Sequence, residues 1–250
     1  MTFFTEKFLE ALGAWQNGWA EDQARKDSLA LALTKEASSL PLQYRSVSVP
    51  CFRKRFLHKG EMMDIVFGDS RDEGLASWTT DRTFAERMKG LVRPNAVSAA
   101  IFRHLPTDDE VIVNVPALWA DPAFGPTVQA YSEQGGKFAT ALLNFRDTQS
   151  EVVLRVPLRG SEIVALSGTS SPFDDLCDRI NIADHDRGKV FKHLLDSGYY
   201  PEEPQYIDPE AAQRVLSRAI QRVSAIMQNT LEATKGINSD CARQQPPAAD

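Results

Sequence analysis

Cysteine is scarce in this chain: there are three in 250 residues, and Cys51, Cys177 and Cys241 have no paired spacing. Neither a disulfide framework nor a cysteine-based zinc site is expected, and the usage suits a reducing, cytoplasmic setting. Histidine is almost as rare. His58, His104, His185 and His193 form no His-x-x-x-His or His-Glu-x-x-His pattern, and Asp184-His185-Asp186 reads as a solvated loop or helix start. No metal is assigned. Long apolar runs are also missing, so neither a membrane span nor a membrane partner is expected. Glu6, Lys7 and Glu10 interrupt any apolar leader, although export by a specialised machine needs no such leader. Positive charge is not in excess. A net charge of −6 argues against a general nucleic-acid-binding surface. The one basic run, Arg53-Lys54-Arg55 followed by His58 and Lys59, reads as a solvated face. No internal repeat occurs.

What remains is ordinary globular material, 42% hydrophobic and 25% charged, enough for one large domain or a domain with a helical annex. Residues 3 to 38 carry a helical stripe, with Phe4, Phe8, Leu12, Trp15 and Trp19 recurring every three or four positions, then Leu29, Leu31, Leu33 and Ala37. Both tryptophans read as core, and Pro41 ends this segment. The pattern then changes to short runs suited to strands: Tyr44 to Val49, Ile65 to Phe67, Leu75 to Thr79, Val97 to Phe102, Val111 to Val115, Glu151 to Leu158 and Ile163 to Leu166. A helix is expected from Thr80 to Met88 with Thr80 or Asp81 as N-cap, and residues 126 to 143 suit helix or strand. After Ser171 helices return, at Phe173 to Ile180, at Gly188 to Leu195, and from Asp208-Pro209-Glu210 along an apolar face to Gly236. The division is a helical segment at 1–40, an α+β core at 41–168, helices at 169–236 and a disordered tail at 237–250.

Three fragments carry chemistry. Gln149-Ser150-Glu151 opens a β-branched run, and in an extended strand Gln149 and Glu151 share one face. Tyr44-Arg45-Ser46 places an arginine in a strand-like run, and Ser77-Trp78-Thr79 precedes the helix at Thr80. Each alone has a plain structural reading, a strand entering a core.

Taken in order, Arg, then Ser-x-Thr, then Gln-x-Glu before Val-Val-Leu, they resemble the Arg-Ser-Glu signature of toxin-type mono-ADP-ribosyltransferases over about residues 40 to 165. The resemblance implies a split, two-sheet α+β core, NAD as co-substrate and no metal. It implies that Glu151 faces the ribose, that Arg45 holds the diphosphate, and that the Ser46 backbone meets the nicotinamide amide. Ser77 would orient the carboxylate and Thr79 complete the Ser-x-Thr element. The chain departs from the pattern in having Ser46 where many members carry glycine, and Ser-Trp-Thr where Ser-Thr-Ser is frequent. Gln149 stands where arginine-directed members carry glutamate. An amide cannot take a proton, so the acceptor implied is a non-arginine protein side chain or a nucleobase. Arg82, Arg87 and Arg93 are further phosphate candidates, although surface ion pairing is the default for each. A toxin or effector of this kind, phage-defence systems included, would act in the cytoplasm and pair with an antitoxin or chaperone. Two rivals stand beside it: an NAD glycohydrolase on the same fold, and a non-catalytic interaction protein in which Glu151 only begins a strand.

Overall fold

Val152, Val153 and Leu154 are wholly buried, because the strand they form is covered on both faces. This is β5 (Glu151–Arg155), in a computed structural model that describes residues 3–18, 22–58, 61, 63–88, 96–146, 149–168, 177, 180–198 and 206–243. The other strands are β1 (Cys51–His58), β2 (Leu75–Thr79), β3 (Ala96–His104), β4 (Val111–Asn114) and β6 (Ile163–Gly168). All pair antiparallel, in the order β4-β5-β2-β1-β3-β6. The class is mixed α+β.

The described strands form one sheet rather than two, which corrects the expectation of separate sheets. The centre of that sheet is nearly divided. β1 runs in register with β3 from Cys51 to Leu57, with a shift before His58, and β2 with β5 from Leu75 to Thr79, but β1 pairs with β2 only at Phe52 and Thr79. Arg53 fills the divergence. Its guanidinium donates to the Ser77 carbonyl at 2.7 Å, a group that a closer β1 strand would have paired through backbone.

Helices cover one face of the β4-β5-β2 half. They are α1 (Glu6–Asn17), α2 (Gln23–Ala37), α4 (Val115–Ala120), α5 (Phe124–Glu133) and α6 (Ala139–Asn144). Phe8, Leu9 and Leu12 of α1 and Leu33 of α2 share a core with Val113 and Val153, so the helices at 1–40 are part of the sheet's own core. Thr5 caps α1 and Asp22 caps α2, each accepting from a first-turn amide. The other face buries Ala76, Trp78, Val152 and Leu154 with Leu57, Phe102 and Leu166. Ala212 and Leu216 of the last helix, here α8 (Pro209–Arg243), close that cluster. Between them in sequence lie α3 (Arg82–Arg87), capped by Asp81, and α7 (Asp184–Asp196).

Several expectations are corrected. Residues 42–44 are a short 3-10 turn, with Arg45 as its C-cap, and Met63–Phe67 is a single π-helical turn. The basic run is not a solvated face. It is β1, with Lys54 only 1% exposed and Arg53 and Arg55 paired to Glu73 and Glu61. The segment from 126 to 143 resolves as two helices, α5 and α6, joined by a turn, and α8 passes Gly236 to Arg243, into what was read as tail. Trp19, Arg93, Phe173 and residues 244–250 lie outside the described residues.

Candidate functional site

Register brings the serine and the carboxylate together. Thr79 stands opposite Glu151 and Ser77 opposite Val153, and in a strand Ser77 and Thr79 share one face, as do Glu151 and Val153. Ser77 and Glu151 are therefore diagonal neighbours on the face that α1 covers. The Ser77 hydroxyl donates to Glu151 Oε1 at 2.5 Å. The other carboxylate oxygen accepts from Gln16 Nε2 at 2.9 Å, and the Trp15 indole N–H donates to Ser77 Oγ at 3.2 Å. Glu151 is 3% exposed. Burial pushes its carboxyl above the usual range, and the hydrogen bonds from Ser77, Gln16 and Trp15 only partly offset it.

The entry to β5 is strained. Ser150 has φ +43°, a left-handed conformation that costs a non-glycine residue free energy. Its carbonyl accepts from the Thr80 amide, and Thr79 Oγ1 donates to the Gln149 carbonyl at 2.6 Å. The same Thr79 oxygen accepts from the Asp81 amide, so Thr79 fastens the end of β2 to the β5 entry. Gln149 lies in this bend and not on the strand. Strand alternation does not pass through a left-handed residue, so the shared face expected for Gln149 and Glu151 does not follow. Gln149 is half-buried, and its carbonyl is the atom that Thr79 holds.

Arg45 and Ser46 do not join the constellation. The Arg45 guanidinium donates to the Ser38 carbonyl at 3.0 Å, and the Ser46 carbonyl accepts from Asn114 Nδ2 at 2.7 Å. Arg53 reaches only the Ser77 carbonyl, from the opposite face of the sheet, where it is held by Glu73 at 3.0 Å. Arg82 is taken by Glu86 in an ion pair along α3. Gln16 and Trp15 were missed as site residues. A signal for Gln16 existed: it follows Leu12 by four, a polar residue on an otherwise apolar stripe.

The arrangement gives a strongly held carboxylate beside a hydroxyl, at the foot of a divided sheet. Such a group can oppose a developing cation or accept from a hydroxyl. Among the described residues, no three His, Cys, Asp or Glu side chains gather as a metal site. No protein-family model matches the chain, and no curated protein and no solved structure matches it significantly.

Proposed function

We propose that the chain transfers ADP-ribose from NAD to a macromolecular acceptor, with Glu151 as the catalytic carboxylate. The observation that carries this reading is the 2.5 Å hydrogen bond from Ser77 to Glu151 across β2 and β5. The Trp15 and Gln16 hydrogen bonds that fix this pair support it. So does the strained Ser150 immediately before the carboxylate.

In the reaction the bond between ribose C1′ and the nicotinamide nitrogen breaks, and nicotinamide leaves neutral with the electron pair. The acceptor's nucleophilic atom bonds to C1′ and gives up its proton. Positive charge gathers on the ribose in between, and a fixed carboxylate lowers that barrier. Ser77 holds the carboxylate in place. No arginine is assigned to the diphosphate: Arg45 lies outside the constellation, and Arg53, paired with Phe102 and in step with Leu57, projects to the face opposite Ser77 and Glu151. Gln149, two residues before the carboxylate, is the residue the resemblance implies for the acceptor.

A second reading has its own observation. Both oxygens of Glu151 are satisfied inside the protein, which suits an anchor tying α1 to the sheet in a non-catalytic protein. Incubation with NAD labelled on its adenylate half and a cell lysate separates the readings. Transfer puts label on the protein or the nucleic-acid fraction with matching nicotinamide release. Release without incorporation identifies a glycohydrolase, and neither signal favours the anchor.

A further inference from the structure

As the structure stands, Glu151 is closed to any substrate, and what closes it is the end of α1. That helix has two unlike parts. Up to Gly13 it is fixed by packing: Phe8, Leu9 and Leu12 are buried, and a Cβ at Gly13 would stand 2.9 Å from Cβ and O of Phe138. Beyond Gly13, Ala14 is buried and Trp15 packs at the edge of the same core, and the side-chain hydrogen bonds to the sheet are Trp15 to Ser77 and Gln16 to Glu151. The turn that carries them is bounded by glycines, Gly13 within the helix and Gly18 as its C-cap. Glycine in a helix lowers the cost of local opening by about 1 kcal/mol relative to alanine.

The closed turn also carries a defect. Gln16 is 4% exposed, and its Oε1 has no hydrogen-bond partner among the described residues, while its Nε2 is committed to the carboxylate. A buried acceptor left unmade destabilises the arrangement that contains it. An ionised carboxylate at 3% exposure does the same. Both penalties vanish when the turn lifts.

We propose that the last turn of α1, Trp15 to Gly18, is a latch whose opening uncovers Ser77 and Glu151 and admits NAD. The access step rests on the transferase reading; the opening itself does not. Apparent affinity for NAD is then the intrinsic affinity reduced by the open fraction. The closed state binds a proton at Glu151 more tightly than the open one, so opening increases as pH rises.

Hydrogen exchange by NMR, corrected for intrinsic rates, tests the opening in three proteins. In Gln16→Ala, the amides of Gln16, Asn17 and Gly18 should exchange about tenfold faster than in the wild type, the loss of one hydrogen bond to an ionisable group. Alanine favours helix, so intrinsic fraying cannot produce that change. In Glu151→Gln they should exchange more slowly, because no buried charge remains to favour opening, while Gln16 can turn its amide to accept from the new side-chain N–H. Amides of Leu9 to Gly13 should stay unchanged in both. The KM for NAD should fall in Gln16→Ala, which a positioning or purely structural role for Gln16 does not produce. Equal exchange of the last turn in all three proteins would overturn the latch. Opening as described with no nicotinamide release from wild type or Gln16→Ala would leave the opening in place and remove the transferase reading. Release without any change in exchange would do the reverse.

Discussion

At the scale of single residues, Glu151 decides most. Glu151→Gln removes the charge but keeps the shape. Ser77 can still donate to the new side-chain oxygen, and Gln16 can turn to accept from the new amide. The variant should therefore be at least as stable as wild type in thermal denaturation at pH 7, while losing about 10²–10³ in the rate of nicotinamide release. A raised melting temperature with an intact rate would mark Glu151 as a structural anchor. His104 makes a separate pH prediction. Its ring lies 2.7 Å from Glu162 and 3.1 Å from Glu110. The bond to Glu162 chiefly, and then that to Glu110, raise its pKa above the usual 6.5 against the opposing effect of burial. A raised histidine stabilises fully below its unfolded pKa and loses that contribution as pH rises through the folded one. Glu110 works in the opposite sense. Its pKa is lowered, so its contribution is lost as pH falls from about 4.5. The melting temperature should fall as pH rises above 6.5, and His104→Gln should flatten that limb. An unchanged limb in the variant would place the pH dependence elsewhere.

Elements show what the sequence could and could not reveal. Five of the six strands were legible, because β2 to β6 carry β-branched or apolar runs that fit a pleated, half-buried surface. β1 was not. Its polar positions bury in pairs, Arg53 and Arg55 with Glu73, and Lys54 against the Glu86 carbonyl and the rings of Phe56 and Tyr206. Partners distant in sequence make such a strand look like a solvated run. For the same reason Ser77 and Glu151 could be paired from motif order, whereas the Gln16–Glu151 bond, 135 residues apart, is a product of tertiary packing. The N-cap at Asp81 and the start at Asp208-Pro209 were readable because capping is local, and Asp208 does accept from the Ala211 amide at 2.7 Å. How tightly α1 sits can be tested at Gly13. Gly13→Ala forces a contact of 2.9 Å with the Phe138 backbone oxygen and Cβ. Overpacking of this kind costs about 1–3 kcal/mol, more than the helix gains from alanine. The denaturant midpoint should therefore drop at constant slope. A gain in stability would mean that α1 and α6 separate easily, and that the anchor proposed for the latch is not one.

At the scale of the whole molecule, the sheet divides the chemistry from the periphery. The α1 face holds Ser77 and Glu151, and the opposite face is closed by the first turns of α8, where Gln213 donates to the Ile163 carbonyl at 2.9 Å. In the proposed reaction Gln149 serves the acceptor, in the strained bend it shares with Ser150 just before Glu151. Gln149→Ala should reduce label incorporation into the macromolecule while leaving nicotinamide release with water as acceptor comparatively intact, because only transfer needs the acceptor held. Equal loss of both would place Gln149 in the NAD site or the fold, and would remove the argument against an arginine acceptor.

The most direct measurement is nicotinamide release from NAD by wild type and by Glu151→Gln, each verified as folded by circular dichroism. The account predicts release by the wild type and a loss of about 10²–10³ in the variant, with the fold unchanged. No release by the folded wild type, or equal release by both proteins, would contradict it.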